Sequence, residues 1–161
     1  PRRISRRKGP KIPIYPHLLP ASPCLTGVFG VEYVALVMEV RNVNEVPAFI
    51  TKDSSEIREI MAYRNSAIVA QSLAQAIVYP GQSTEEHYHP RTEEIYYIQA
   101  GRGRIRVNGE SRDIGPGDAI GMLPGDVHKI WNTGEEPLQF LCCCTPPYEH
   151  EDTVMTEGET K

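Results

Sequence analysis

The stretch Glu85–Tyr97, EEHYHPRTEEIYY, puts two histidines one residue apart and a pair of glutamates a few positions later. On a β-strand alternate side chains share a face, so His87 and His89 project together while Tyr88 points away. Their Cα atoms then lie about 6.6 Å apart, from a rise of about 3.3 Å per residue. At that separation both imidazoles reach one ion at roughly 2.1 Å. Pro90 and Arg91 bend the chain, which returns through Glu94, Tyr96 and Ile98. Glu93 falls instead with Ile95 and Tyr97. Both sets carry apolar residues, so alternation by itself leaves the inward face open.

Outward from this stretch the pattern is one of strands and turns. QSLAQAIVYPG (71–81) reads as a strand ending at Pro-Gly, and EEIYYIQAG (93–101) as a strand ending at glycine. In GRIRVNGESRDIGPGD (103–118), Asn108-Gly109 is a hairpin signal, because both central turn residues need positive φ. A two-residue loop pairs Val107 with Glu110, Ile105 with Arg112 and Arg104 with Asp113. AIGML, HKIWN and EPLQFLCCC follow, each set off by a turn. The fold class is all-β: a small antiparallel barrel or two-sheet jelly roll. Upstream, Pro47 keeps 43–50 extended, and Asp53 followed by Glu56 resembles a capping box. A short helix is expected over SSEIREIMAY (54–63), with Ile57, Ile60 and Met61 on one stripe.

Charge divides the chain. Residues 1–37 hold six basic residues and one acid, and the remaining 124 hold eleven basic and twenty acidic residues. The folded part therefore lacks the basic footprint of a nucleic-acid binder. The apolar run CLTGVFGVEYVALVMEV is broken by Glu32 and two glycines, which fits neither a secretion signal nor a membrane span. Four domain segments are expected: a basic, Pro-rich extension (1–37) outside the functional core, a lead-in (38–67), the barrel (68–146) and a polar, acidic, mobile tail (147–161). Cys142, Cys143 and Cys144 are consecutive and Cys24 is distant, so they read as thiols of a reducing, cytoplasmic compartment rather than as a disulfide framework.

Gly81, His87, His89, Glu94 and Gly101, spaced Gly-x5-His-x-His-x4-Glu-x6-Gly, resemble the first signature of the cupin superfamily. Gly117, Gly125, His128 and Asn132 resemble the second. One departure is that Pro124 directly precedes Gly125, where the family usually has an intervening residue. The resemblance covers residues 68–146. It implies a double-stranded β-helix barrel with an interior metal held by His87, His89, Glu94 and His128, which assigns Glu94 over Glu93. Three imidazoles and a carboxylate suit Fe, Mn, Ni, Co or Zn as a divalent ion and disfavour an oxygen-only cation.

Around that site, Tyr96 shares the face of Glu94 and is a candidate acid or base. Arg91 at the rim and Arg112, if turned inward, are candidates for an anionic substrate. Glu86 and Glu93 are expected in solvent, Ile130 in the barrel lining, and Trp131 facing away from the site. The expected function is a metal-dependent enzyme acting on a small chelating substrate, with an oxygenase favoured. The alternatives are an isomerase or lyase of the sugar-phosphate type and a ligand-binding module without turnover. A homodimer is expected, with the lead-in at 43–50 covering a sheet edge.

Overall fold

The structure, a computed structural model, describes residues 38–156. The expected basic extension 1–37 and Cys24 lie outside the described residues. The strands are β1 (Phe49–Ile50), β2 (Glu56–Met61), β3 (Ser72–Val78), β4 (His87–Tyr88), β5 (Glu93–Ala100), β6 (Gly103–Val107), β7 (Glu110–Ile114), β8 (Ala119–Met122), β9 (His128–Asn132), β10 (Leu138–Thr145) and β11 (Val154–Met155). They form two antiparallel sheets, ordered β1-β2-β3-β10-β5-β8 and β11-β4-β9-β6-β7. Among the described residues no helix is long and apolar enough to cross a membrane.

Alternation along the strands builds the core. On β5 the buried residues are Glu94, Tyr96 and Ile98, and Glu93, Ile95 and Tyr97 face out, which settles the parity that the sequence leaves open. β10 contributes Leu138, Phe140, Cys142 and Cys144 to the same interior, and β9 contributes His128, Ile130 and Asn132. The fully buried Phe140, Ile98, Ile130 and Leu138 each stabilise the barrel by roughly 1.5–3 kcal/mol relative to exposure. Asn132 serves the frame: its Nδ2 donates to the carbonyls of Val78 and Glu136 at 2.9 and 2.8 Å, and its Oδ1 accepts from Gly134 N.

The Asn108-Gly109 hairpin forms in the expected register, with φ of 49° and 84° at the two turn residues. Arg104 meets Asp113 at 2.8 Å on the surface, a pair that water and salt leave with little energetic weight. Arg112 does not turn inward. It is largely exposed and pairs with Glu110 at 2.6 Å, because β7 is an edge strand whose only buried residue is Ile114. It borders a shallow seam between β7 and β8.

Three expectations about the flanking segments are corrected. The helix over 54–63 is instead the strand β2, which pairs with β3 through a bulge between Glu59 and Met61. Apolar spacing over only one turn cannot hold a helix when a neighbouring strand offers a ladder. The capping-box signal is a turn: Asp53 Oδ1 accepts from Thr51 Oγ1, Ser55 N and Ser55 Oγ, and Ser54 has φ of 70°. Within 43–50, Val43–Glu45 is a 3-10 turn capped by Asn42, and only β1 is a strand. The tail is ordered as far as it is described, since β11 pairs with β4, Val154 opposite Tyr88 and Met155 opposite His87.

Gly101 ends β5 with φ of +82°, and a Cβ there would meet Pro137 O at 2.6 Å and Leu138 Cα at 2.8 Å. Both neighbours are backbone and cannot step aside. Gly101→Ala is therefore expected to destabilise the protein by roughly 2–4 kcal/mol, read as a lower urea midpoint at unchanged slope.

Candidate metal centre

Four buried side chains converge inside the barrel. His87 and His128 are direct cross-strand partners on β4 and β9, His89 follows β4, and Glu94 comes from β5 of the other sheet. One donor atom from each lies within 4.8 Å of all the others. Glu94 Oε2 is 3.4 Å from His89 Nε2 and 3.4 Å from His128 Nε2. Two donors each about 2.1 Å from one ion at a tetrahedral angle would sit about 3.4 Å apart.

The three imidazoles are held in the same way. His87 Nδ1 meets Glu85 O at 2.8 Å, His128 Nδ1 meets Asp126 O at 2.9 Å, and His89 Nδ1 meets Asp152 O at 3.2 Å. A carbonyl only accepts, so each Nδ1 carries a proton and each Nε2 faces the shared centre, where an ion would take the place of any second proton. Glu94 Oε1 accepts from the Cys144 thiol at 3.3 Å, but its Oε2 is buried with no hydrogen-bond partner. A buried, unpartnered carboxylate oxygen is costly. Its position facing imidazole nitrogens fits a cation between them. These four residues form a cluster that could hold a metal ion.

Electrostatics follow from this crowding. Burial opposes ionisation of Glu94, but His128 and His89 override it and hold the carboxyl well below its usual range. Burial also works against a proton on His89, yet Glu94 raises that imidazole above its ordinary value. His87 is lowered, by burial first and then by His128. Burial pushes the Tyr96 phenol far up, with Glu94 adding to it, so this hydroxyl keeps its proton. It stands 3.5 Å from His128 Nε2.

A small cavity adjoins the cluster, reaching His87 and Tyr96. Phe49, Ile57, Ala74, Ala76 and Phe140 supply apolar lining, and Thr51, Asp53, Ser55, Tyr148 and Thr153 add polar groups. The structure brings together the four predicted ligands and Tyr96, but neither arginine lines this cavity. Arg91 donates from Nε to Asp152 Oδ1 at 2.8 Å with its side chain largely exposed. Glu93 is exposed as expected, whereas Glu86 is bound by Arg106. Trp131 faces away from the site beneath the Arg106 and Lys129 cations.

Sequence reasoning misses Asp53, Tyr148 and Asp152, which lie far from the signature residues in the chain. Asp152 is buried and ties the turn between β4 and β5 to the C-terminal segment. Its Oδ2 accepts from Thr92 N at 3.1 Å and Thr92 Oγ1 at 2.9 Å, and its carbonyl orients His89. The motif glycine Gly125, with φ of +88°, donates its N–H to His89 O at 2.8 Å.

The cupin domain model matches residues 75–144. An uncharacterized protein of Methanocaldococcus jannaschii is 46% identical over 71% of this chain and 91% of its own. A crystal structure from Thermotoga maritima, described as a predicted oxalate decarboxylase, is 29% identical with a TM-score of 0.60, covering 67% of this chain and 99% of that one. The polyketide cyclase RemF from Streptomyces resistomycificus shares the fold with a TM-score of 0.66 at 20% identity, over 77% and 89% of the two chains. The chain belongs to the cupin superfamily. Its fold is the all-β double-stranded β-helix of that superfamily.

Asp152→Ala removes four donors' acceptor and loosens the segment that orients His89. The expected outcome is a loss of about 2–3 kcal/mol in chemical denaturation and a 10–100-fold weaker affinity for Co(II) by competition titration.

Proposed function

We propose that this chain is a metal-dependent enzyme acting on a small chelating substrate by proton transfer, in the manner of an isomerase or lyase. A divalent Fe, Mn, Ni, Co or Zn ion held by His87, His89, Glu94 and His128 would polarise a carbonyl or hydroxyl of the substrate. The observation that carries the reading is Tyr96. Its hydroxyl is buried, protonated, beside His128 and at the wall of the cavity. Such a group can hand a proton to a carbon or oxygen placed there and take it back. The apolar face that includes Phe140 and Ile57 offers a surface for the carbon skeleton of a substrate.

An oxygenase is the second reading. It rests on the donor set, which also suits redox-active iron. The likeness to a predicted oxalate decarboxylase, a lyase by name, favours the isomerase or lyase reading. A sugar-phosphate substrate is disfavoured, since no arginine or lysine lines the cavity. The free thiols Cys142, Cys143 and Cys144 support a reducing, cytoplasmic setting.

Elemental analysis of the purified protein is expected to find about one transition ion per chain. Glu94→Gln should lower that content severalfold or more, while Tyr96→Phe retains it and loses about 100-fold or more in turnover. Turnover that persists without oxygen supports proton transfer, and stoichiometric oxygen uptake would replace it with the oxygenase reading.

A homodimer belongs to the same proposal. The edge strand β1 exposes Phe49 and Ile50, and the outer face of β5 exposes Ile95 and Tyr97. Light scattering should return twice the chain mass, falling to the single mass in Ile95→Asp/Tyr97→Asp.

A further inference from the structure

Sulfur enters the inner face of β10 at a particular level. Along that face Leu138 and Phe140 give way to Cys142 and Cys144, all of them buried. In the ladder with β5, Cys142 stands opposite Tyr96 and Cys144 opposite Glu94. The two thiols therefore lie across from the candidate acid and the candidate ligand, and both line the cavity. Cys143, between them, faces away and is partly exposed.

Contact singles out Cys144. Its Sγ donates to Glu94 Oε1 at 3.3 Å. An ionised carboxylate only accepts, so the proton sits on sulfur and points at the carboxylate. Burial and then Glu94 push the thiol up, with the Ser72 hydroxyl pulling the other way. Neighbouring strands hold the sulfur in place. β10 runs between β5 and β3, and on the β3 side Cys144 pairs with Ser72, whose Oγ accepts from Tyr148 N at 2.9 Å. The carboxylate is thus divided. Oε1 is tied to the sheet that carries it, and Oε2 is left facing His89 Nε2 and His128 Nε2 at 3.4 Å.

A carboxylate gives a metal ion either one oxygen or both. A chelating substrate needs two neighbouring positions on that ion, and a second oxygen from Glu94 would compete for one of them. A thiol suits the task of holding Oε1 back, because it is a weak donor that leaves most of the carboxylate's charge to the cation. An aliphatic side chain at the same place would fill the core but could not donate.

We propose that Cys144 is a positioning residue of the metal centre: its thiol holds Glu94 to a single-oxygen engagement and keeps room on the ion for a chelating substrate. This rests on the metal reading above and adds the residue that decides how the carboxylate is used.

The test loads the full chain with Co(II) as wild type, Cys144→Ala, Cys144→Ser and, as a control, Cys143→Ala. Coordination is read from the visible Co(II) bands, which weaken as the ion gains donors, and those bands also follow titration with acetohydroxamate, a chelating probe. In Cys144→Ala the bands are expected to fall severalfold and the affinity for the probe by about tenfold or more. Cys144→Ser, which keeps a donor, and Cys143→Ala are expected to stay near the wild type. Unchanged bands and probe affinity in Cys144→Ala, or an equal loss in Cys144→Ser, overturn the inference. Wild-type protein gives a further readout that needs no variant to fold: cobalt drawing charge from Glu94 should shift one S–H stretching band in the infrared. S–H bands indifferent to cobalt uptake overturn the inference alone, whereas protein that takes up no cobalt overturns the metal reading and the inference with it.

Discussion

Glu94 Oε2 is the atom on which the rest of the molecule turns. It is a carboxylate oxygen sealed in a barrel with no hydrogen bond, facing two imidazole nitrogens at 3.4 Å. An ion of like charge or an empty apolar pocket beside it would push the group toward neutrality. The surrounding histidines do the opposite and keep it ionised. Everything nearby serves that arrangement. Strand pairing sets His87 against His128, three carbonyls fix the imidazole protons on the far nitrogens, and the Cys144 thiol occupies the other carboxylate oxygen. The barrel is thus a frame that holds one acceptor unsatisfied from within and ready for a cation.

Much of this frame is legible in the sequence, for physical reasons that differ from residue to residue. Period-two alternation and turn chemistry reveal the strands from β3 to β10, because Asn108-Gly109 and the glycine turns leave few backbone choices. The histidine pair is readable because two residues on one strand face are bound to be neighbours. Glu94 against Glu93 is not decidable from parity, since Ile95 and Tyr97 are as apolar as Tyr96 and Ile98. Their exposure comes from the six-stranded sheet having an outer face as well as an inner one.

What stays hidden is long-range. Asp152 reaches back about sixty residues to Arg91 and Thr92, and no local pattern announces such a contact. Asp53 looks like a helix cap because the same short side chain that caps a helix also closes a turn. The deciding factor is the ladder with β3, which the segment after it joins as β2. Arg112 misleads in the other way: its cross-strand partner Ile105 is buried, yet on an edge strand a long cation reaches solvent and Glu110.

The dependence of His89 on the Asp152 carbonyl also has a temporal side. Chains are made from the N-terminus onward, and domains begin to fold as they emerge. All four prospective ligands are therefore synthesised before the carbonyl that aligns one of them and the strand β11 that clamps β4. During translation the nascent barrel holds His89 without its orienting acceptor. The acceptor that orients His89 is thus the last part of the candidate metal centre to be synthesised.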